Sequence, residues 1–280
     1  MEESWHEMYR RITTPELIAE KDVYMLKFAV TPDEILAAQK LRYRVFNQEQ
    51  GKGLETSNCN GVDQDEFDGQ SAHLVVVHKE LNKPIGTYRI ILGQFQHSCS
   101  PSCLYSSREY HLDGLNPFLS QTLEVGRSCV DPAYRNGTVV ALLWTGISEV
   151  MARSRMRYLV GCVSLEDIRP EAAWALYEYF EQNQIISGAV HALPQSPFVL
   201  PRPERFRIEA ILNDERQIRT LMPPLLKGYL RMGGKICGEP AYDYEFGTID
   251  YLILLDVAHL PGRYNRHFNV RTTAEEKTAL

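Results

Sequence analysis

Two charged residues interrupt an apolar stretch near the middle of the chain. Glu124 and Arg127 lie within residues 123–130, whose other residues predict a buried β-strand. A carboxylate and a guanidinium in a protein core are costly unless they are paired or hold a ligand. Because residues three apart on a regular strand face opposite sides, we predict a β-bulge near Gly126 that turns both side chains to one face. The bulge would also free backbone groups for a ligand; a simple buried ion pair is the alternative interpretation.

The turn after this strand has features of an anion-binding site. Arg135, Asn136 and Gly137 precede Thr138, the start of the most apolar helix in the chain (138–151). Backbone N–H groups at the start of a helix suit a phosphate group. A glycine before a helix is common, so the position directly after the predicted bulge gives this feature its weight.

The composition argues against some classes of function. The chain has 280 residues, 44% of them hydrophobic, and a formal net charge of −6, so we do not expect a nucleic acid held by bulk electrostatics. The cysteines show no paired spacing: Cys129 and Cys162 lie in apolar strands, and His97, Cys99 and Cys103 would form only half of a zinc site. We therefore predict a reduced, cytoplasmic protein without a bound metal. Neither a signal peptide nor a membrane span is predicted, and peripheral attachment to a membrane stays open.

The order of elements predicts a mixed α/β (α+β) fold. A strand at 24–28 precedes a helix that begins with a capping box of Thr31 and Glu34 and ends near Phe46. A hairpin, a long connection and then alternating strands and helices follow, which favours a central mixed sheet flanked by helices on both faces. We predict an N-terminal helical or flexible segment (1–22), one domain with a C-terminal extension (23–268) and a disordered tail (269–280).

Charged side chains also interrupt apolar patterns upstream. Arg42 lies at the edge of the apolar stripe of the first predicted helix, and Arg89 interrupts the second strand of the hairpin. Arg42 either extends over the edge of the core or points inward to a carboxylate, and its spacing does not decide between the two. The intervening loop carries Asp63, Asp65 and Asp68. Acids in a loop are usually solvated, and the spacing of a calcium-binding EF-hand is absent.

Four short stretches, in order along the chain, resemble a subgroup of GNAT-fold acyltransferases. They are Leu41-Arg42-Tyr43-Arg44-Val45-Phe46, Asp65-Glu66-Phe67-Asp68, Gly86-Thr87-Tyr88-Arg89 and Leu123-Glu124-Val125-Gly126-Arg127. The subgroup includes acyl-homoserine-lactone synthases, N-acyl amino acid synthases and the hemolysin-like acyltransferases that make lyso-ornithine lipids. Residues 223–230, 238–241 and 246–248 resemble the ornithine-lipid branch in particular, and the resemblance covers residues 23–268.

The resemblance implies an acceptor pocket and an activity. The activity would be transfer of a fatty acyl group, with or without a 3-hydroxyl, from acyl carrier protein to the α-amine of an amino acid, ornithine being the first choice. Glu124 and Arg127 would be the catalytic residues, with Glu124 taking the proton of the amine. A backbone N–H near residues 128–130 would hold the thioester oxygen. The pocket would be lined by residues that bind the acceptor: Arg42, Phe46, Asp65, Asp68 and Arg89.

The resemblance also implies how the donor binds. The acyl and pantetheine groups would contact two short runs: Ser128, Cys129 and Val130, and then Arg135, Asn136, Gly137 and Thr138. Because the second run lacks the second glycine of coenzyme A loops, acyl-ACP is expected as co-substrate in preference to acyl-CoA, with no bound cofactor. The acidic carrier would dock near Arg135 or near Arg153, Arg155 and Arg157, although a solvated helix end is the more ordinary interpretation of that run.

Other classes of function remain open on the sequence alone. An acyl-homoserine-lactone-type synthase would use S-adenosylmethionine and normally lacks so long a C-terminal extension. An N-acyl amino acid synthase would differ in the acceptor. A non-catalytic, hemolysin-like lipid-binding protein would need neither Glu124 nor Arg127.

Overall fold

The computed structural model describes residues 4–93 and 104–261, and the following helices and strands lie within these ranges. The α-helices are α1 (Trp5–Thr13), α2 (Pro32–Tyr43), α3 (Thr138–Ser154), α4 (Pro170–Gln182), α5 (Arg205–Leu212), α6 (Glu215–Leu221) and α7 (Pro224–Arg231). The strands are β1 (Leu17–Lys21), β2 (Tyr24–Ala29), β3 (Ala72–His78), β4 (Lys83–Leu92), β5 (Tyr110–His111), β6 (Thr122–Val130), β7 (Tyr158–Leu165), β8 (Leu193–Pro194), β9 (Lys235–Ile236), β10 (Ala241–Asp243) and β11 (Thr248–Asp256).

Most of the strands form one mixed sheet. Its order is β1-β2-β3-β4-β6-β7-β11-β10, with β9 paired to β11, and β5 pairs separately with β8. Within the described residues β6 and β7 run parallel. The other strand pairs of this sheet run antiparallel. The parallel pair lies at the centre of the sheet, and it is the pair that forms the functional site described below.

The side chains of β3 point alternately to two helical layers, one on each face of the sheet. Leu74 and Val76 belong to the main core, which includes the apolar residues of α3. Val75 and Val77 point the other way and pack with Ala38 of α2. Helices therefore cover both faces of the sheet, and the predicted fold class is confirmed.

Local signals determine where α2 begins. The hydroxyl of Thr31 accepts a hydrogen bond from the N–H of Glu34 (3.3 Å), and the Glu34 carboxylate accepts one from the N–H of Thr31 (3.2 Å). This confirms the predicted capping box. The regular helix ends at Tyr43, and a π-helical turn (Arg44–Glu49) follows. The π-helical turn brings Phe46 to the wall of the cavity described below.

Three parts of the chain differ from the pattern predicted from sequence. The predicted boundary at residue 22 falls in the turn between β1 and β2, and β1 is an edge strand of the sheet. Prolines at 194, 197, 201 and 203 predict a linker or surface loop, but helices α5 and α6 follow it directly and add Ile208 and Ile218 to the core. The short strand β10 is also additional. The cysteines at 99 and 103 and the predicted tail (269–280) lie outside the described residues.

Candidate active site

A cleft opens where β6 and β7 separate. The two strands pair only over residues 122–124 and 158–160, although β6 continues to Val130 and β7 to Leu165. They are still close at Gly161, where a Cβ atom would lie 2.5 Å from the carbonyl oxygen of Val125. Beyond Gly161, the described parts of β6 and β7 are no longer paired, so their backbone N–H and C=O groups that face the cleft have no partner on the other strand. A cavity of about 540 Å³ fills the opening, with Glu124 on its wall.

The predicted β-bulge in β6 is present, with one difference. Between Gly126 and Cys129, β6 carries one residue more than the facing segment of β4. The left-handed residue is Arg127 (φ 50°) rather than Gly126. This conformation costs a residue with a Cβ atom about 1–2 kcal/mol, so contacts of the Arg127 side chain must offset it. Glu124 and Arg127 line the same cavity, so the bulge brings both charges to one side.

Arg42 is fully buried and lies at the centre of an ion-pair network. Its Nε donates to Oδ1 of Asp63 (2.7 Å), and its Nη1 and Nη2 donate to the carboxylate of Asp68 (2.8 and 2.9 Å). The inward-pointing alternative is therefore confirmed. Although burial opposes the effect, Arg42 holds the pKa of Asp68 well below its usual value. Burial lowers the pKa of the adjacent His73 to about 4, so this histidine is neutral at pH 7.

Asp65 joins the other two arginines to this network. Arg89 Nη1 donates to Oδ1 of Asp65, and Arg127 Nη2 donates to Oδ2 (2.9 Å). Arg127 Nε lies 3.3 Å from Oδ1 of Asp63. We call Arg42, Arg89, Arg127, Asp63, Asp65 and Asp68 the arginine–aspartate network. Its formal charges balance, and Asp63 is the member absent from the predicted site. Arg89 and Arg127 border the cavity, whereas the other members stand behind its wall.

Aromatic rings enclose the guanidinium of Arg127. Its central carbon lies 4.7 Å from the ring centroid of Tyr105 and 4.6 Å from that of Phe246. Phe46 packs edge-on against Phe246 at 5.8 Å and borders the cavity. Cation–π contacts of this kind are favourable in a desolvated site. Together with the two aspartates they hold Arg127 in its left-handed conformation.

Glu124 is bound by backbone amides. Its Oε2 accepts a hydrogen bond from the N–H of Tyr105 (2.6 Å), and its Oε1 accepts one from the N–H of Ser106 (2.8 Å). Burial raises the pKa of the Glu124 carboxyl above its usual value, and these two donors oppose that rise. A fixed carboxylate with a raised pKa at a cavity wall is suited to accept a proton. The alternative interpretation, a buried ion pair between Glu124 and Arg127, is not what the structure contains. Glu124 accepts from the backbone of Tyr105 and Ser106, and Arg127 pairs with Asp63 and Asp65.

Three further buried acids lie on or beside the wall of the same cavity. We call Glu109, Asp243 and Asp250 the carboxylate recess; Asp243 and Asp250 line the cavity directly. Ligand atoms of Glu109, Asp250 and Cys162 lie within 4.8 Å of one another. Burial and the neighbouring acids raise the pKa of Glu109 well above its usual value and that of Asp250 to about 7. Sequence reasoning missed this group, because its members are far apart in the chain.

Some of the residues predicted to contact the acyl and pantetheine groups border the cavity, and others do not. Ser128 borders the cavity, but Val130 is not part of its wall. Cys129 packs with Leu41 and Val45 of the α2 region, and burial raises its pKa to about 12. The Cys129 side chain is therefore a packing group. Cys129 could therefore contact the acyl donor only through its backbone.

The turn before α3 borders the cavity through Arg135. The guanidinium of Arg135 pairs with both carboxylate oxygens of Glu49 (2.7 and 2.8 Å). Asn136 Oδ1 accepts a hydrogen bond from the N–H of Thr138 (3.1 Å), and Gly137 has φ 81° at the start of the helix. Asn136, Gly137 and Thr138 do not border the cavity. The N–H of Thr138, which is one of the groups expected to bind a phosphate, therefore already donates a hydrogen bond to Asn136.

Comparison with known proteins places the chain in an enzyme class. In overall fold the chain is similar to FeeM, an N-acyl amino acid synthase from uncultured soil microbes. That similarity has a TM-score of 0.46 and 12% identity, and it covers 85% of this chain and 93% of FeeM. Residues 41–145 match the family described as an acetyltransferase (GNAT) domain. The chain therefore has a GNAT domain over these residues, and the two relatives described next show that it is an acyltransferase.

Two curated relatives define its family. The chain is 34% identical over 248 residues to an L-ornithine N(alpha)-acyltransferase of Brucella abortus, with 84% of each protein covered. It is 32% identical over 244 residues to an L-ornithine N(alpha)-acyltransferase of Agrobacterium fabrum, which covers 84% of this chain and 81% of the relative. The chain belongs to the same family as these two acyltransferases. No helix within residues 4–93 and 104–261 has both the length and the apolar character needed to cross a bilayer.

Proposed function

We propose that the protein transfers a fatty acyl group, with or without a 3-hydroxyl, from acyl carrier protein to the α-amine of ornithine, as a step of aminolipid (lyso-ornithine lipid) synthesis. The position of Glu124 carries this proposal. Its buried carboxylate is fixed by two backbone amides at the point where β6 and β7 separate, and it faces the cavity between them. The names of the curated relatives support ornithine as the acceptor.

The chemistry follows from this placement. Glu124 removes a proton from the α-ammonium of the acceptor, because only the neutral amine can attack a thioester. The nitrogen then bonds to the carbonyl carbon, and a cleft-facing N–H of residues 128–130 stabilises the negative oxygen. When the C–S bond breaks, the second nitrogen proton passes to the leaving sulfur, so that an amide and a free thiol result. No acyl-enzyme forms, in keeping with the packing role of Cys129.

The arginine–aspartate network has a positioning role in this proposal. It ties the loop at residues 63–68 to β4 and β6 and thereby holds Arg127 at the cavity wall. Arg127 carries a positive charge on the wall of the cavity that Glu124 also lines, and it is the group that we assign to the carboxylate of the acceptor. Arg42 does not border the cavity, so its contribution is to hold Asp63 and Asp68 in place.

Acyl carrier protein is the donor that the turn before α3 favours. The second glycine of coenzyme A loops is absent, Asn136 occupies the N–H of Thr138, and Arg135 is paired with Glu49. Arg135 is ion-paired like Arg153 and Arg157, but it borders the cavity and they do not, so the rim at Arg135 is the docking surface that we propose. Arg153 is bound to Glu149 and to backbone carbonyls, and Arg157 is bound to Asp256.

A donor comparison tests this choice. We expect a higher kcat/KM with acyl-ACP than with acyl-CoA of the same chain, and R135E should raise KM for acyl-ACP while changing KM for acyl-CoA much less. Equal use of both donors by the wild type, or equal effects of R135E on both, would contradict carrier docking at this rim.

Peripheral contact with the inner membrane would give the lipid-like product a route of release.

The acceptor is tested by mass spectrometry of the product. Purified protein is incubated with a loaded acyl carrier protein and, separately, ornithine, glycine, glutamine and tyrosine. We expect N-acylornithine as the main product. Another N-acyl amino acid as the main product would replace ornithine as the acceptor, and the absence of any N-acylated product would overturn the proposed function.

A further inference from the structure

We propose that the carboxylate recess binds the second, cationic amino group of a diamino-acid acceptor. The inference rests on the proposed function, since it assumes that the α-amine of the acceptor lies at Glu124. The acyl transfer itself needs one carboxylate to accept a proton. It gives no reason for Glu109 and Asp250 to be buried beside the same cavity.

Several carboxylate oxygens of the recess have no hydrogen-bond partner among the described residues. Glu109 is 1% exposed, and neither of its carboxylate oxygens has a hydrogen-bond partner within the described residues. Asp250 is 4% exposed and its Oδ1 is also without a partner there, although the hydroxyl side chains of Ser164 and Thr248 act on its carboxylate and oppose the rise in its pKa. Asp243 differs, because it accepts hydrogen bonds from the N–H groups of Glu245 and Phe246 (2.8 and 3.1 Å). Buried carboxylates without partners are costly, so a cation that binds them recovers free energy.

The charges around the recess leave room for such a cation. Arg127 attracts Glu109 and Asp243, and Lys52 attracts Asp250. The Arg127 guanidinium already bonds to Asp65. A primary ammonium group has three donors and no acceptor, and it matches the two oxygens of Glu109 and the free oxygen of Asp250.

The sheet places the recess within reach of an acceptor held at Glu124. Glu124 pairs with Val160 of β7, and Leu252 of β11 pairs with Cys162. Because paired residues share a face and side chains alternate, Glu124, Cys162 and Asp250 point to the same side of three adjacent strands. The first and third of these strands are about 10 Å apart, and Asp250 pairs with Ser164, which is four residues along β7 from Val160 and adds an offset of about 13 Å along the strands. The Glu124 and Asp250 side chains both line the cavity, and Glu109, which lies beside Asp250, is close enough to Glu124 for the two carboxyl groups to interact electrostatically. A diamino acid with its α-amine at Glu124 would therefore direct its second amino group towards Glu109.

A metal ion is the other ligand that this geometry could accept, since Glu109, Cys162 and Asp250 are close together. Burial and the surrounding carboxylates raise the pKa of the Cys162 thiol well above its usual value. A metal ion would have to displace the proton of this thiol, because the thiolate is the form that binds metal. An ammonium group requires no such deprotonation, so it is the occupant that we infer.

Norvaline is the matched probe, because it has the backbone and chain length of ornithine without the terminal amino group. We compare kcat/KM for ornithine and norvaline, and their affinities by calorimetry, in the wild type, E109Q and D250N. The control is E178Q, which alters a buried glutamate that is paired with Arg202 and Arg205 outside the cavity. The wild type should prefer ornithine by about tenfold or more, and E109Q and D250N should each lose most of that preference while E178Q keeps it.

The outcomes separate this inference from the proposed function. Equal affinity of the wild type for ornithine and norvaline, or a preference unchanged in both E109Q and D250N, would overturn the recess as an ammonium site. So would a stoichiometric metal ion in the purified wild type that is lost in D250N. A calorimetric preference for ornithine that E109Q abolishes would support the recess even if no amine were acylated, and in that case the proposed function alone would fail.

Discussion

Replacement of Arg42 by methionine probes the arginine–aspartate network without touching the cavity wall. The variant keeps a long apolar stem but leaves Asp63 and Asp68 buried without the guanidinium that binds both. Removal of one partner of a buried ion pair costs about 3–5 kcal/mol. The free energy of unfolding of a typical domain is about 5–15 kcal/mol, so Arg42→Met should lose a large part of it.

Urea denaturation measures this loss. With a slope of about 2 kcal/mol per molar urea, the midpoint should fall by about 1.5–2.5 M. The matched control is Arg219→Met, which removes an exposed arginine paired with Glu215 on the surface of α6. Because exposed ion pairs contribute about 0–1 kcal/mol, the midpoint of this control should hardly move.

The pH dependence of the loss has a definite sign. In the wild type the pKa of Asp68 lies below the unfolded value of about 3.9, so its stabilising contribution is present above that pH and is lost as the pH falls through the folded pKa. In Arg42→Met, Asp68 keeps the N–H of Asp65 and the more distant Arg89 but loses its main partner, so burial should raise that pKa relative to the wild type. The difference between the two proteins should therefore be largest at neutral pH and shrink below about pH 4. A midpoint for Arg42→Met equal to that of Arg219→Met at pH 7 would refute the reasoning.

Three further predictions concern the cleft and its wall. G161A should lower the melting temperature and the activity, because its Cβ would lie 2.5 Å from the carbonyl oxygen of Val125, whereas G126A has open space and should retain the wild-type melting temperature. C129A should keep its kcat and lose about 1 kcal/mol of stability in urea, because a buried thiol with a pKa of about 12 packs but does not attack; loss of kcat would contradict this. The ratio of kcat/KM for ornithine to that for norvaline should rise as the pH passes upward through about 7, since Asp250 loses its proton there next to Glu109, Asp243, Cys162 and Lys52; a flat ratio between pH 6 and 8 would count against it.

Local sequence signals explain the elements that could be predicted. The capping box at Thr31 and Glu34 determines the start of α2 from four consecutive residues, and the helix is present where it is expected. The two charges around Gly126 predicted a bulge, because any regular strand would have left one of them on the wrong face. The residue that adopts the left-handed conformation could not be predicted, since it depends on aspartates and aromatic rings supplied by other parts of the chain.

The parts that could not be predicted depend on contacts between distant residues. Glu109 follows a polar run that looks like a surface loop, and it becomes buried only because residues 104–121 fold over one face of the sheet. Asp63 resembles its solvated neighbours until Arg42 reaches it from α2. The edge strand β1 is largely exposed and therefore lacks the alternation that marks a strand.

The most direct test of the central claim is the rate of N-acylornithine formation by Glu124→Gln, measured with a loaded acyl carrier protein and compared with the wild type. Glutamine can keep one of the hydrogen bonds from Tyr105 and Ser106 but cannot accept the proton of the amine. We predict that the variant folds with a similar melting temperature and that its kcat falls by about 100-fold or more. A folded Glu124→Gln protein that forms N-acylornithine at the wild-type kcat would contradict the assignment of this cleft as the site of acyl transfer.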